Sequence, residues 1–71
     1  MSQIIKFLVN GQAYYILQKN ITLLQLITYL NYNHSLLVLE LNDFICNKKL
    51  WNKIYIQDND KIEIVTIVGG G

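Results

Sequence analysis

The chain has 71 residues, net charge +1, 15% charged residues and 52% hydrophobic residues. That is one small domain. It has low charge against the roughly 25% usual in globular proteins, and no basic stripe to recommend nucleic acid, since its six cationic residues are lysines scattered except for Lys48-Lys49. One cysteine (Cys46) and one histidine (His34) are too few for a disulfide framework or a closed zinc site, so stability has to come from packing.

In chain order, Ile5, Phe7 and Val9 alternate with Lys6 and Leu8 at the two-residue period of a strand. Asn10-Gly11 supplies the positive φ values of a type I′ turn. Gln12–Leu17 then pairs back, with Tyr14 and Ile16 on one face. Thr22 begins a helix: its hydroxyl and Gln25 form a reciprocal capping box, and Ile21 and Leu26 sit at the two positions of a hydrophobic staple. Leu23, Leu26, Ile27 and Leu30 recur at three- and four-residue spacing and make one apolar face. Asn31-Tyr32-Asn33 ends the helix, since asparagine tolerates the left-handed conformation of C-caps.

A third strand spans 37–41 and stops at Asn42-Asp43, with a short run Phe44-Ile45-Cys46 behind it. Residues 48–53 read as a loop or a single helical turn, with Trp51 as a plug over the edge of the core. Asp58-Asn59-Asp60 is a turn; Ile62 and Gly69 fall where a calcium loop needs ligands. The last strand spans 62–68, with Ile62 and Ile64 on one face and Glu63, Val65 and Ile67 on the other. The order β–β–α–β–short element–β predicts an α+β fold: a mixed sheet of four to five strands packed on one main helix, with the β-grasp arrangement as first choice. Core packing is expected from Phe7, Leu26, Ile27, Leu30 and Ile62.

Gly69-Gly70-Gly71 stands out chemically. At a glycine frequency near 7%, three in a row at a chosen place occur by chance roughly three or four times in ten thousand. A frayed end or a cloning remnant would look the same. The functional alternative is a slender tail whose backbone, without Cβ atoms, enters another protein's cleft. Three extended residues reach roughly 10 Å.

Fold and tail together resemble the ThiS sulfur carriers of the ubiquitin-like β-grasp proteins, over essentially the whole chain. The resemblance lies in the opening strand with Asn10-Gly11, Thr22 before a leucine-rich helix, and Leu39-Glu40-Leu41-Asn42 before a turn. Trp51, Asp58-Asn59-Asp60-Lys61-Ile62 and Val68-Gly69-Gly70-Gly71 complete it. Two departures are Asn59, where the family has glycine between the aspartates, and Asn47-Lys48, where it has Pro-Arg. Lysine cannot reproduce a guanidinium fork.

The resemblance implies a domain over 1–68 and a flexible tail over 69–71. The Gly71 carboxylate would be the reacting group, and Gly69 and Gly70 would be recognised by partners. It implies no bound cofactor and no catalytic side chain; ATP and Mg²⁺ would be used by a ThiF-like (E1-like) adenylyltransferase. A cysteine desulfurase or similar donor would supply sulfur, and thiazole synthase would take it for the thiazole of thiamin. Related carriers serve molybdopterin synthesis or tRNA thiolation. A binding module with accidental glycines is the reading from another class, and a small enzyme would need a constellation that is not visible.

Leu8, Val65 and Ile67 are expected to form an exposed apolar patch beside the tail, either a docking site or incidental exposure. Cys46 reads as a small buried hydrophobe rather than a sulfur acceptor, and His34 as a solvent-facing loop residue without a partner. Lys48-Lys49 reads as a solvated loop that could meet an acidic surface. No stretch reaches the roughly 20 apolar residues of a membrane span. The start of the chain lacks the features of a secretory signal or transit peptide. The expected place of work is a plastid stroma or a bacterial cytoplasm.

Overall fold

A computed structural model describes residues 4–17 and 20–67. Five strands form one sheet: β1 (Ile5–Val9), β2 (Gln12–Ile16), β3 (Leu37–Leu41), β4 (Phe44–Ile45) and β5 (Lys61–Thr66), in the order β2-β1-β5-β3-β4. β1 and β5 are parallel, and the other pairs are antiparallel. One helix, α1 (Leu23–Tyr29), and two 3₁₀ turns (His34–Leu36 and Lys48–Leu50) complete the described elements.

Both hairpins follow from residues that accept positive φ. Asn10 (50°) and Gly11 (82°) join β1 to β2, and Asn42 (52°) and Asp43 (75°) join β3 to β4. These are the values a two-residue I′ connection requires. Asn42-Asp43, the expected end of the third strand and start of a turn, is a complete two-residue hairpin turn.

Both ends of the helix are capped. Thr22 Oγ1 accepts from the Gln25 N–H (3.1 Å), and Gln25 Oε1 accepts from the Thr22 N–H (2.8 Å). The first two helical N–H groups have no partner inside a helix. Here Leu23 N–H donates to Ile54 O (3.0 Å) and Leu24 N–H to Trp51 O (2.9 Å), so the 51–54 loop is bonded to the helix start. At the other end Asn31 (φ 68°) donates to Thr28 O, and Tyr32 donates to Ile27 O. That double closure is a Schellman motif.

The helix-facing side of the sheet is the core: Ile5, Phe7, Val9, Leu37, Leu39, Ile62 and Ile64 meet Leu23, Leu26 and Ile27. Leu30, expected among them, caps the helix and is only partly buried against the cluster. Trp51 is inside the core, 2% exposed, rather than at its edge. Its ring goes in because its one polar group is satisfied: Nε1–H donates to Cys46 O (3.1 Å). Ile56, also buried, closes the same end.

Candidate functional site

The expected reactive tail, Gly69–Gly71, lies outside the described residues, as does Val68. The structure does define β5, the strand that precedes it in sequence. β5 is central, with β1 on one side and β3 on the other. The two neighbours do not run equally far. β3 follows β5 from Leu41↔Ile62 to Leu37↔Thr66, and Ile67 N–H still donates to Leu36 O (2.7 Å). β1 follows only over Leu8↔Lys61 and Val9↔Ile62.

What ends the β1 side is a side chain. The chain turns away at Asn10-Gly11, and the Asn10 carboxamide takes the place of the next strand residue. Its Oδ1 accepts from the Ile64 N–H (2.8 Å) and its Nδ2 donates to Ile64 O (3.4 Å). An amide side chain has the same donor and acceptor as a peptide unit, so it closes the ladder there. Beyond Ile64 the β1-facing side of β5 has no β1 residue opposite it. The sequence marks Asn10 only as a turn residue, because its second role depends on a tertiary contact with Ile64.

At the opposite end, the 58–60 turn fastens the start of β5. Asp58 Oδ1 accepts from the Lys6 N–H (2.9 Å), and Asn59 (φ 70°) donates to Lys6 O. Asp60 is nearly buried; its carboxylate accepts from Gln57 N–H (2.8 Å) and Asn42 Nδ2 (3.0 Å). Both aspartates are thus used by the turn. Among the described residues no group of three His, Cys, Asp or Glu could hold a metal ion.

Val65 and Ile67 are half exposed, at 52% and 50%, on the side of the sheet away from α1. Their expected neighbour Leu8 is elsewhere. The register puts Leu8 opposite Lys61, four residues before Val65 and so about 13 Å along the strand. The reason is the short overlap of β1 with β5. The residue directly across from Val65 is Val38, which the alternation of Leu37 and Leu39 with Val38 would have exposed to a sequence reading. Next in line on this face, Glu40 lies opposite Glu63. Lys61 pairs with Asp43 (2.7 Å), and that hydrogen bond and charge, followed by the charges of Glu63 and Glu40, raise its pKa.

The remaining candidates occupy supporting places. Cys46 is partly buried against the core, and desolvation raises its thiol pKa, which keeps it protonated and slow to react at neutral pH. His34 is in the first 3₁₀ turn and only partly exposed. Its Nε2 lies 3.2 Å from Thr28 Oγ1, so it has the partner the sequence did not reveal. Lys48 and Lys49 are exposed in the second 3₁₀ turn.

A mixed five-stranded sheet holding one helix, with its last strand central, defines the β-grasp, ubiquitin-like class. The ThiS family model matches residues 7–71, and the chain belongs to the ThiS family. It is 63% identical to the ycf40 protein of Trieres chinensis over 65 residues, covering 92% of this chain and 88% of that one. It is 40% identical to the ycf40 protein of Pyropia yezoensis, covering 89% and 87%. Among solved structures it is similar to the crystal structure of the thiamine biosynthesis protein ThiS from Geobacter metallireducens. The TM-score is 0.81, with 20% identity and coverage of 94% of this chain and all of that one. That likeness establishes the shared fold, and family membership supports a sulfur-carrier role. No helix of the described residues is long and apolar enough to cross a membrane.

Proposed function

We propose that the chain is a protein co-substrate that carries sulfur on the carboxylate of Gly71, for assembly of the thiazole of thiamin. The single observation that supports this best is the extent of the family match, which runs through Gly71 and so takes in the glycines. The one-sided end of β5 agrees with it. A strand held on both sides to Ile64 and on one side to Ile67 is a firm base for a glycine tail that enters a partner's cleft.

The chemistry is acyl activation. A carboxylate is a poor acyl donor because its leaving group would be an oxide. A ThiF-like adenylyltransferase, using ATP and Mg²⁺, joins the Gly71 carboxylate to AMP and releases pyrophosphate. Persulfide sulfur from a cysteine desulfurase or similar donor displaces AMP, which departs with one former carboxylate oxygen, and forms an acyl disulfide. A thiol reductant supplies the two electrons that cleave its S–S bond, leaving the thiocarboxylate on Gly71 and releasing the donor's thiol. Thiazole synthase is the acceptor. No side chain of the carrier acts on the reacting atoms; Gly69 and Gly70 keep the approach narrow. Val65 and Ile67, with Val38 beside them, provide the docking face near the tail, and Leu8 lies outside it.

Intact-mass measurement of the protein purified from its native host tests the proposal. A fraction is expected to carry sulfur in place of one oxygen, located at Gly71 by fragmentation. Sulfur found on Cys46, or on no residue under conditions of active thiamin synthesis, would contradict it.

A further inference from the structure

The two edges of the sheet are built differently. β4 is two residues long and adjoins the Asp43–Lys61 ion pair. β2, at the other edge, has five residues, Gln-Ala-Tyr-Tyr-Ile, with neither charge nor proline. Its pairing with β1 is unbroken from Val9↔Gln12 to Ile5↔Ile16, so no bulge bends it away. Charge, proline, bulges and brevity are the usual protections of an edge, and β2 has none of them.

The alternation of an antiparallel ladder settles which groups are free. With Val9↔Gln12 closing the two-residue turn, Gln12, Tyr14 and Ile16 direct their backbone groups at β1. Ala13 and Tyr15 direct theirs outward, where no strand pairs with them among the described residues. The side chains beside this edge are apolar and open: Tyr15 is 65% exposed, Leu17 64% and Tyr29 83%. Between β2 and α1 runs a groove of ≈ 520 Å³ with Phe7, Tyr14, Ile16, Leu26 and Leu30 in its walls.

We propose that β2 is a self-association edge, where a second copy of this chain adds its own β2 antiparallel about a twofold axis at Tyr15. The register is self-complementary. Tyr15 faces Tyr15 of the second copy, small Ala13 faces Leu17, and on the groove side Tyr14 faces Ile16. An axis normal to the sheet puts both α1 helices on the same side, so the two grooves open onto each other across the seam. The contact is isologous and closes as a dimer.

The area is sufficient. At 65% and 83% exposure, tyrosines of about 150–250 Å² each leave on the order of 100–200 Å² apiece to cover. With Leu17 and the groove walls, two copies together cover on the order of 1,000 Å², the size of a weak, reversible interface. A net charge of +1 opposes this little. β2 lies two strands from β5, about 10 Å, so the pairing leaves the end of β5 free.

Sedimentation equilibrium of the full chain between about 10 μM and about 1 mM is expected to show monomer and dimer in exchange. Tyr15→Lys, or Tyr15→Glu, sets like charges directly opposite and is expected to weaken the dimer about tenfold or more. Mixing the Lys and Glu variants is expected to restore it as a heterodimer. Ala13→Pro removes an outward N–H but none from the β1 ladder, and is expected to weaken the dimer with the melting temperature nearly kept. A wild type that stays monomeric to about 1 mM, charge variants that fail to complement, or a dimer lost instead on Phe44→Lys at the opposite edge would overturn the proposal.

Discussion

The two halves of β5 are held differently. From Lys61 to Ile64 the strand is held by β3 on one side and by β1 and the Asn10 carboxamide on the other, and Ile62 and Ile64 are in the core. From Val65 to Ile67 it keeps only the β3 side, and both apolar residues are half exposed. The same strand is thus anchored on both sides first and open on one side afterwards, and the open part is the surface we propose for docking. Sequence alternation alone treats the seven residues 61–67, β5 and the residue after it, alike; the difference arises because β1 turns away at Asn10-Gly11.

The largest effect on stability is expected in the anchored part. Leu26, which is 3% exposed beneath the sheet, should cost about 2–5 kcal/mol when changed to alanine, by lost transfer energy and the cavity left behind. Denaturant unfolding checks it, and in so small a domain the variant is expected to be at or past its folding limit. A loss under 1 kcal/mol would mean that the sheet and helix are not packed as described.

The boundary between the halves is tested at Asn10. Asn10→Gly keeps the positive φ but removes the carboxamide, and should cost about 0.5–1.5 kcal/mol for the lost hydrogen bonding. Asn10→Ala adds the left-handed penalty of about 1–2 kcal/mol. In both, amide exchange should quicken at Ile64, whose N–H partner is that side chain, more than at Leu39 on β3. Equal protection of Ile64 in wild type and Asn10→Gly would show that the amide does not close the ladder.

Much of this was legible in the sequence, and the gaps have identifiable causes. The capping box, the Asn10-Gly11 turn, the inward set Phe7, Leu26, Ile27 and Ile62, and the outward Val65 and Ile67 were readable because local chemistry and periodicity determine them. The depth of Trp51, the Thr28 partner of His34 and the distance between Leu8 and Val65 were not. The last depends on the long-range register of β1 with β5, and the first two on how a short loop folds back to bring the Cys46 carbonyl to Trp51 and the Thr28 hydroxyl to His34. The β3–β4 hairpin was half seen, because Asp43 is a less familiar left-handed residue than glycine.

In the presenting half, stability should change little and binding much. Val65→Asp or Ile67→Asp should leave the melting curve nearly in place, since both residues are half in solvent. Each should weaken association with the adenylating enzyme by about tenfold or more, by burying an unpaired carboxylate at the contact. Titration calorimetry reads the change. Unaltered affinity in both variants would mean that this face is incidental.

Activity is proposed to reside in the carboxylate of Gly71 and to be separable from the fold. Chains lacking Gly71, or extended past it and verified as unprocessed, can be incubated with ATP, a sulfur donor and the cognate adenylating enzyme and then weighed intact. The wild type should exchange one oxygen for one sulfur, and both altered chains should stay unmodified with melting temperatures unchanged. An extended chain that is thiolated as well as wild type would contradict the claim.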